Sequence, residues 1–282
     1  MQLVHCNGVR LAEPAGALAG LGWVGLRAWA LVLLVGVIGG CLGGPCPEPA
    51  GDRDHPRPDG QAERAGRPYA FVFIRTGTLA EPTPAQQREA MDGHFANMQR
   101  LAERGLLLMA GPLTEPRSDP DHRGLFVFDA RTAAEGLALA NTDPARAMGV
   151  FTMDPWVLTT QAPLTDLPAL EEQQRERRRR EGQGDDAWQG RSYVLASTPY
   201  DPALDASILR LWQDGAGVLL AGRLTNGAGG DLLLVWLDAT DPDRGRAMLP
   251  EGPWTMHGWY GSETIALLPP PGSDRPQSRP EP

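Results

Sequence analysis

The chain has 282 residues and a formal net charge of −9. A net negative charge argues against nucleic acid as a partner, because phosphate binding needs a basic face. The three cysteines are Cys6, Cys41 and Cys46, so the long remainder of the chain has neither disulfides nor thiolate metal sites.

The first 40 residues have the pattern of a secretory signal. Arg27 precedes a purely apolar run over 28–37, which leads into Ile38-Gly39-Gly40-Cys41. A signal peptide typically has a basic residue, then an apolar run, and then small residues at the cleavage site. An aliphatic residue, two small residues and a cysteine resemble the bacterial lipobox. We therefore predict a signal peptide over 1–40, acylation of Cys41, and a lipid-anchored protein of the cell envelope, on the periplasmic or extracellular side.

An uncleaved membrane anchor is the alternative for this segment. The uncharged stretch that follows Arg27 is nearly long enough to span a bilayer. Sequence alone leaves both readings open.

Composition divides the remaining chain into five segments. Residues 41–67 are rich in glycine, proline and charged residues, which predicts a flexible tether. A first domain over 68–161 and a second over 191–268 flank a partly helical linker over 162–190. The proline-rich tail 269–282 is predicted to be disordered.

The elements of the first domain alternate in the order βαββαβ. Thr83 and Gln86 form a capping box around Pro84, which predicts the start of the first helix. The predicted elements are a strand over 69–75, a helix to Arg104 with Gly105 as its C-cap, strands over 106–113 and 124–128, a helix from the Thr132 and Glu135 capping box to Asn141, and a strand over 148–159. The predicted core face of the first helix carries Met91, Phe95, Met98 and Leu101.

The second domain is a degenerate copy of the first. Residues 124–158 align without a gap with 233–267, so that Gly136 meets Gly245 and Pro144 meets Pro253. The copy predicts strands over 193–197, 218–224, 232–237 and 259–268, a helix over 202–214 and a short helix around Arg246. At two positions the copies differ chemically: His94 aligns with Leu204, and Asp143 aligns with Gly252.

The linker contains a run of charged residues. Glu171 with Arg175 and Glu176 with Arg180 are i,i+4 pairs in the favourable order, which predicts an exposed helix. Contact with an anionic lipid surface is the alternative.

The predicted strands are apolar on both faces. Tyr69, Phe71 and Phe73 lie on one face of the first strand, while Ala70 and its i+2 neighbours lie on the other. A sheet with helices on only one side has a polar free face, so the free face must be covered. The sheet of the other domain is the simplest cover.

The first domain resembles the YCII-related, or YciI-like, family. The residues that carry the resemblance are Gly93-His94-Phe95-Ala96-Asn97-Met98, Leu107 to Leu113, Gly124-Leu125-Phe126-Val127, Thr142-Asp143-Pro144 and Asp154-Pro155-Trp156. The resemblance covers 69–159 well and 193–268 weakly. It implies an α+β fold of two ferredoxin-like βαββαβ units packed as an intrachain pseudodimeric α/β barrel, hence a monomer. It also implies that His94 and Asp143 are an active-site pair.

The residues themselves make this chemistry plausible. His94 borders the inward face of its helix, where a carboxylate accepting from one ring nitrogen would fix the tautomer. The other nitrogen is then free for general acid or base work, so isomerase or lyase chemistry on a small organic acid fits best. We predict no metal and no cofactor, because one histidine and one aspartate make a poor metal site.

Structural roles are the alternative for each of these residues. A lone helical histidine is commonly a satisfied core residue, and a protein that only binds a small ligand or a partner is the rival function. His122 and His257 have no visible partner in the sequence and are assigned structural roles. Arg75 and Arg123 are read as exposed, with contact to an anionic substrate as the alternative.

Overall fold

The computed structural model describes residues 66–273, except 116, 118, 183–188, 228 and 229. The predicted signal peptide, the acylation site at Cys41, nearly all of the tether and residues 274–282 of the tail lie outside the described residues. No helix within the described range is long and apolar enough to cross a membrane.

Eight strands and six α-helices make up the described chain. The strands are β1 (Arg67–Thr76), β2 (Leu107–Thr114), β3 (His122–Phe128), β4 (Phe151–Thr160), β5 (Gly190–Pro199), β6 (Val218–Thr225), β7 (Leu232–Leu237) and β8 (Thr255–Ser262). The α-helices are α1 (Pro84–Glu103), α2 (Ala133–Ala140), α3 (Pro144–Ala147), α4 (Leu167–Arg180), α5 (Pro202–Gln213) and α6 (Pro242–Ala247). Two 3₁₀ turns, Leu164–Asp166 and Glu263–Leu267, complete the set.

The strands form one closed antiparallel barrel. Their order around it is β1-β3-β2-β8-β5-β7-β6-β4, and β4 closes on β1. Strands of the first domain are contiguous in the order β4-β1-β3-β2, and those of the second in the order β8-β5-β7-β6. The two groups join at β2 with β8 and at β4 with β6. This architecture confirms the predicted α+β class.

Local sequence signals start the helices where they were predicted. The Thr83 hydroxyl accepts from the backbone N–H of Gln86, and the Gln86 side chain accepts from the backbone N–H of Thr83. Thr132 and Glu135 repeat this capping box at α2. Gly105, just past α1, has φ +68°, a conformation that glycine adopts without the cost a side chain would add. The two predicted capping boxes are confirmed, whereas the C-cap of α1 is Arg104, one residue before the predicted Gly105.

Barrel closure explains why β1 is apolar on both faces. Tyr69, Phe71 and Phe73 belong to a core that reaches into the second domain, where the Phe71 ring lies 6.4 Å from that of Trp236. Ala70 and Val72 instead join a separate cluster with Leu101 of α1. One face therefore fills the barrel and the other packs under the helices, each large buried apolar side chain contributing roughly 1.5–3 kcal/mol.

The predicted core face of α1 is confirmed at Leu101, which is buried, and at Met98, which packs against the same cluster, but it is wrong at Phe95. The buried residues are Ala90, His94, Asn97 and Leu101, whereas Phe95 is 45% exposed. Apolar periodicity favoured the phenylalanine. The helix instead buries two polar side chains, which is possible because residues near α3 bond to them.

The gapless alignment of the two domains fails in the last strand. Tyr69 pairs with Leu158 across β1 and β4, and Tyr193 pairs with Trp259 across β5 and β8. Leu158 thus corresponds to Trp259, and the second domain is shorter after Pro253. The predicted strand over 259–268 accordingly ends at Ser262, and a 3₁₀ turn follows.

The linker helix α4 is docked on one side, which corrects the prediction of an exposed helix. Arg178 is buried and forms an ion pair with Glu263 at 2.9 Å. The Glu171 carboxylate accepts from the hydroxyls of Ser262 and Thr264, so it does not pair with Arg175, which bonds to Glu172 instead. The predicted pair of Glu176 and Arg180 is present, at 3.4 Å.

Candidate functional site

A buried histidine and a buried aspartate meet between α1 and α3. His94 lies in the middle of α1, and Asp143 is the N-cap of α3. The distance from His94 Nδ1 to Asp143 Oδ2 is 2.6 Å, and their side chains are 8% and 0% exposed. The two residues singled out in the sequence are thus in direct contact, and their catalytic role stays a prediction.

Both oxygens of the Asp143 carboxylate accept hydrogen bonds. Oδ1 accepts from the backbone N–H of Ala145 at 2.9 Å, which caps α3, and Oδ2 accepts from the His94 ring. An acceptor at Oδ2 places the ring proton of a neutral imidazole on Nδ1. Among the described residues, the hydrogen bond of the His94 ring is the one through Nδ1, so Nε2 keeps a lone pair for a ligand.

Close packing of α3 on α1 allows this contact. Pro144 follows Asp143 and lies against Gly93, the residue before His94. A Cβ added to Gly93 would lie 2.7 Å from Cβ of Pro144, so any side chain there would push the helices apart. Gly93 is therefore needed to bring the carboxylate within reach of the ring.

Aromatic side chains surround the imidazole. The ring centroids of Phe126 and Phe151 lie 5.7 Å and 5.3 Å from that of His94. The exposed Phe95 stands edge-on at 5.5 Å. The histidine therefore sits in an apolar pocket on the helix side of the sheet, with a solvent-facing phenylalanine beside it.

A polar cluster next to the pair was missed in the sequence. The Asn97 Oδ1 atom accepts from Arg100 Nη2 at 2.6 Å and from the Thr142 hydroxyl at 3.0 Å. Because arginine only donates, this contact orients the amide, and Nδ2 of Asn97 is left buried without a partner among the described residues. The signal that could have found the cluster is spacing, since Asn97 follows His94 by three residues and Thr142 precedes Asp143.

The corresponding place in the second domain lacks both groups. A Cβ built on Gly252 would lie 3.9 Å from Cδ2 of Leu204, so these residues are neighbours as His94 and Asp143 are. This spatial match agrees with the sequence alignment at those positions. Within the described residues, a histidine–aspartate contact at these positions is thus present in the first domain and absent from the second.

His122, predicted to have no partner, belongs to a polar group at the barrel mouth. Its Nε2 lies 3.1 Å from Arg75 Nη1, its ring stacks on Phe73 at 4.6 Å, and the His257 ring is 6.1 Å away. Arg75 also donates to Asp119 at 3.2 Å. Arg75 is thus an ion-pair partner rather than a free cation.

Burial lowers the pKa of both mouth histidines. It lowers the pKa of His122, and it lowers the pKa of His257 to about 4, with His122 adding a smaller effect of the same sign. Both rings are therefore neutral near pH 7. Arg123, the other arginine considered for substrate contact, donates to the Thr76 hydroxyl at 2.8 Å.

No group of three or more histidine, cysteine, aspartate or glutamate residues lies close enough to hold a metal ion within the described part of the chain.

Comparison with known proteins gives distant structural similarity. No protein-family model matches the chain, and no curated protein matches it. It is similar to a proposed monooxygenase from Fusobacterium nucleatum, with a TM-score of 0.37 and 8% identity over 70% of this chain and 94% of that one. It is also similar to the siroheme decarboxylase NirDL, with a TM-score of 0.36 and 10% identity over 71% and 75%. At these TM-scores neither similarity bears on function.

Proposed function

We propose that the first domain performs general acid/base chemistry of the isomerase or lyase type on a small organic acid. The observation that carries this proposal is the buried 2.6 Å hydrogen bond between His94 Nδ1 and Asp143 Oδ2. A base for such chemistry needs a free ring nitrogen and a fixed tautomer, and this bond provides both.

In this mechanism Nε2 of His94 takes a proton from the bound acid and returns it at a second position or to a leaving group. The proton creates an imidazolium, which the Asp143 carboxylate stabilises through Nδ1–H. The apolar rings around the histidine keep water away and strengthen that interaction.

The neighbouring donors suit an acidic substrate. Nδ2 of Asn97 lacks an acceptor, and Arg100 supplies a guanidinium one turn further along α1. A carboxylate that contacts both Nδ2 of Asn97 and the guanidinium of Arg100 would give Asn97 the acceptor that it lacks. These two residues are assigned here to substrate binding.

We further propose that the barrel is an intrachain pseudodimer of two YCII-like units, the second being a scaffold. The matching strand orders β4-β1-β3-β2 and β8-β5-β7-β6 support this assignment. Two matching arginine–tyrosine contacts, at equivalent places in β1 and β5, also support it. The Arg67 guanidinium lies 4.8 Å from the centre of the Tyr69 ring, and that of Arg191 lies 4.6 Å from the centre of the Tyr193 ring.

Hydrogen exchange on a substrate separates catalysis from binding. We expect the protein to exchange acidic C–H protons of small oxo acids such as 2-oxobutanoate for deuterium in D2O, followed by proton NMR. His94→Ala should slow exchange by roughly 10²–10⁴-fold. Asp143→Asn should also slow it, because the amide would donate to Nδ1 and place the ring proton on Nε2.

His257→Phe is the matched control, since this histidine lies on the other face of the sheet and should leave exchange unchanged. If the wild-type protein does not exchange these protons, the rival function is favoured, namely a protein that only binds a small ligand. In that case oxo acids raise the melting temperature, His94→Ala abolishes the rise, and no acid in the panel exchanges its protons.

We also propose that the protein is lipid-anchored in the cell envelope through Cys41. The support is the sequence pattern from Arg27 to Cys41. Acyl chains contribute about 0.8 kcal/mol per buried CH₂, so two or three of them anchor stably. Cys41→Ser should release or mislocalise the protein in cells. Mass spectrometry of the mature N-terminus decides the matter, and an unmodified N-terminus upstream of Arg27 would favour the uncleaved anchor.

A further inference from the structure

An open cleft of about 490 Å³ lies on the helix side of the second domain. It is formed by the end of β5, the first turns of α5 and the loop before β8. The volume is within the range of small-molecule sites, about 300–1,000 Å³. Leu204 and Gly252 line it, so the positions that correspond to His94 and Asp143 provide an apolar wall and free space instead of a catalytic pair.

The charges on the cleft lining have one sign. Asp201 and Glu251 line it, and no arginine or histidine is among the lining residues that the structure describes. Oδ1 of Asp201 caps α5 by accepting from Ala203 and Leu204, and no hydrogen bond reaches Oδ2 within the described residues. The guanidinium of Arg223 lies over the ring of Tyr200, a lining residue, at 4.5 Å, and it is ion-paired with Asp231. The cleft therefore favours a cation over an anion.

A buried hydroxyl on the cleft wall lacks a partner. Thr198 is 2% exposed, and its Oγ1 has no hydrogen-bond partner among the described residues. Thr160 is equally buried, yet its hydroxyl donates to Ala221 O at 2.6 Å and accepts from Ala162 N at 3.1 Å. Buried hydroxyls are ordinarily satisfied in this way. The wall of the cleft thus has a hydroxyl without a partner, which can accept a hydrogen bond from a ligand N–H group.

We propose that this cleft binds a small organic cation, an ammonium group on an apolar body. The carboxylates of Asp201 and Glu251 attract the ammonium, Thr198 Oγ1 accepts one of its N–H groups, and the apolar body packs against Leu204. The site lies in the other domain from His94 and is independent of the acid/base function.

Benzylamine, benzyl alcohol and benzoate are suitable probes, because they share an apolar ring and differ in charge. With the full chain near pH 7, benzylammonium should raise the melting temperature and shift the amide NMR signals of the cleft residues. Benzyl alcohol should bind about tenfold more weakly, since hydrogen bonds and ion pairs to a charged group are the stronger ones. Benzoate should bind least, and added salt should weaken benzylammonium binding.

Three variants and one control complete the test. Thr198→Val should weaken benzylammonium binding about tenfold without lowering the melting temperature of the free protein, because it removes an unsatisfied group of the same shape. Thr160→Val, the matched control, should lower the melting temperature and leave binding unchanged. Leu204→Trp should fill the cleft and abolish binding, and His94→Ala should leave it unchanged.

Three results would overturn the proposal. Benzoate could bind as well as benzylammonium, binding could survive Leu204→Trp, or Thr198→Val could lower the melting temperature of the free protein as much as Thr160→Val. None of these results touches the role of His94, which proton exchange tests separately.

Discussion

Asp143→Ala is expected to destabilise the folded protein by about 3–5 kcal/mol. The carboxylate is fully buried and is the acceptor for His94 Nδ1 and for the backbone N–H of Ala145. Removal leaves both donors buried without a partner and also removes the cap of α3. Urea or thermal unfolding followed by circular dichroism measures the difference.

Asp241→Ala is the matched control for this effect. Asp241 is exposed and caps α6 by accepting from the backbone N–H of Arg244 at 2.9 Å, with no histidine attached. Loss of such a cap costs about 1 kcal/mol. Equal losses in the two variants would show that the contact between His94 and Asp143 contributes nothing beyond capping.

His257→Phe is expected to make stability less dependent on pH between about 6.5 and 4. Burial lowers the pKa of His257 to about 4 in the folded protein, against an ordinary value of 6.5. Between those values the unfolded chain binds a proton that the folded protein excludes. The free energy of unfolding of the wild type should therefore keep the whole contribution of neutral His257 above pH 6.5. It should fall by about 2–3 kcal/mol as the pH approaches 4.

The measurement is denaturant unfolding at several pH values. Phenylalanine has no proton to bind, so the variant should lose less stability over this window. Met256→Leu, a volume-conserving change at the adjacent position, should keep the wild-type slope. A variant slope equal to that of the wild type would mean that His257 does not titrate differently on folding.

Features governed by nearby residues could be predicted from the sequence. The capping boxes at Thr83 and Thr132 place both helix starts correctly, because they depend on groups three residues apart. The pairing of His94 with Asp143 was anticipated from the family resemblance, and the position of His94 on its helix made a carboxylate partner plausible.

Features governed by long-range pairing could not be predicted. Periodicity placed Phe95 in the core, but the helix turns His94 and Asn97 inward because Asp143 and Thr142 bond to them there. The role of His122 depends on an irregularity in β3. Ile74 pairs with Gly124 and Arg75 pairs with His122, so Arg123 is skipped and the His122 ring faces into the barrel.

Barrel closure has a consequence for synthesis on the ribosome. The two groups of strands pair at β4 with β6 and at β2 with β8. Both edge strands of the first domain therefore lack their partners until β6 and β8 have been synthesised. At 5–20 residues per second, the roughly hundred residues from the end of β4 to the end of β8 take about 5–20 s. During that interval the nascent chain presents two open sheet edges and an uncovered apolar face, which favour pairing with other chains. Synthesis of the last strand is thus the step that ends its exposure to aggregation.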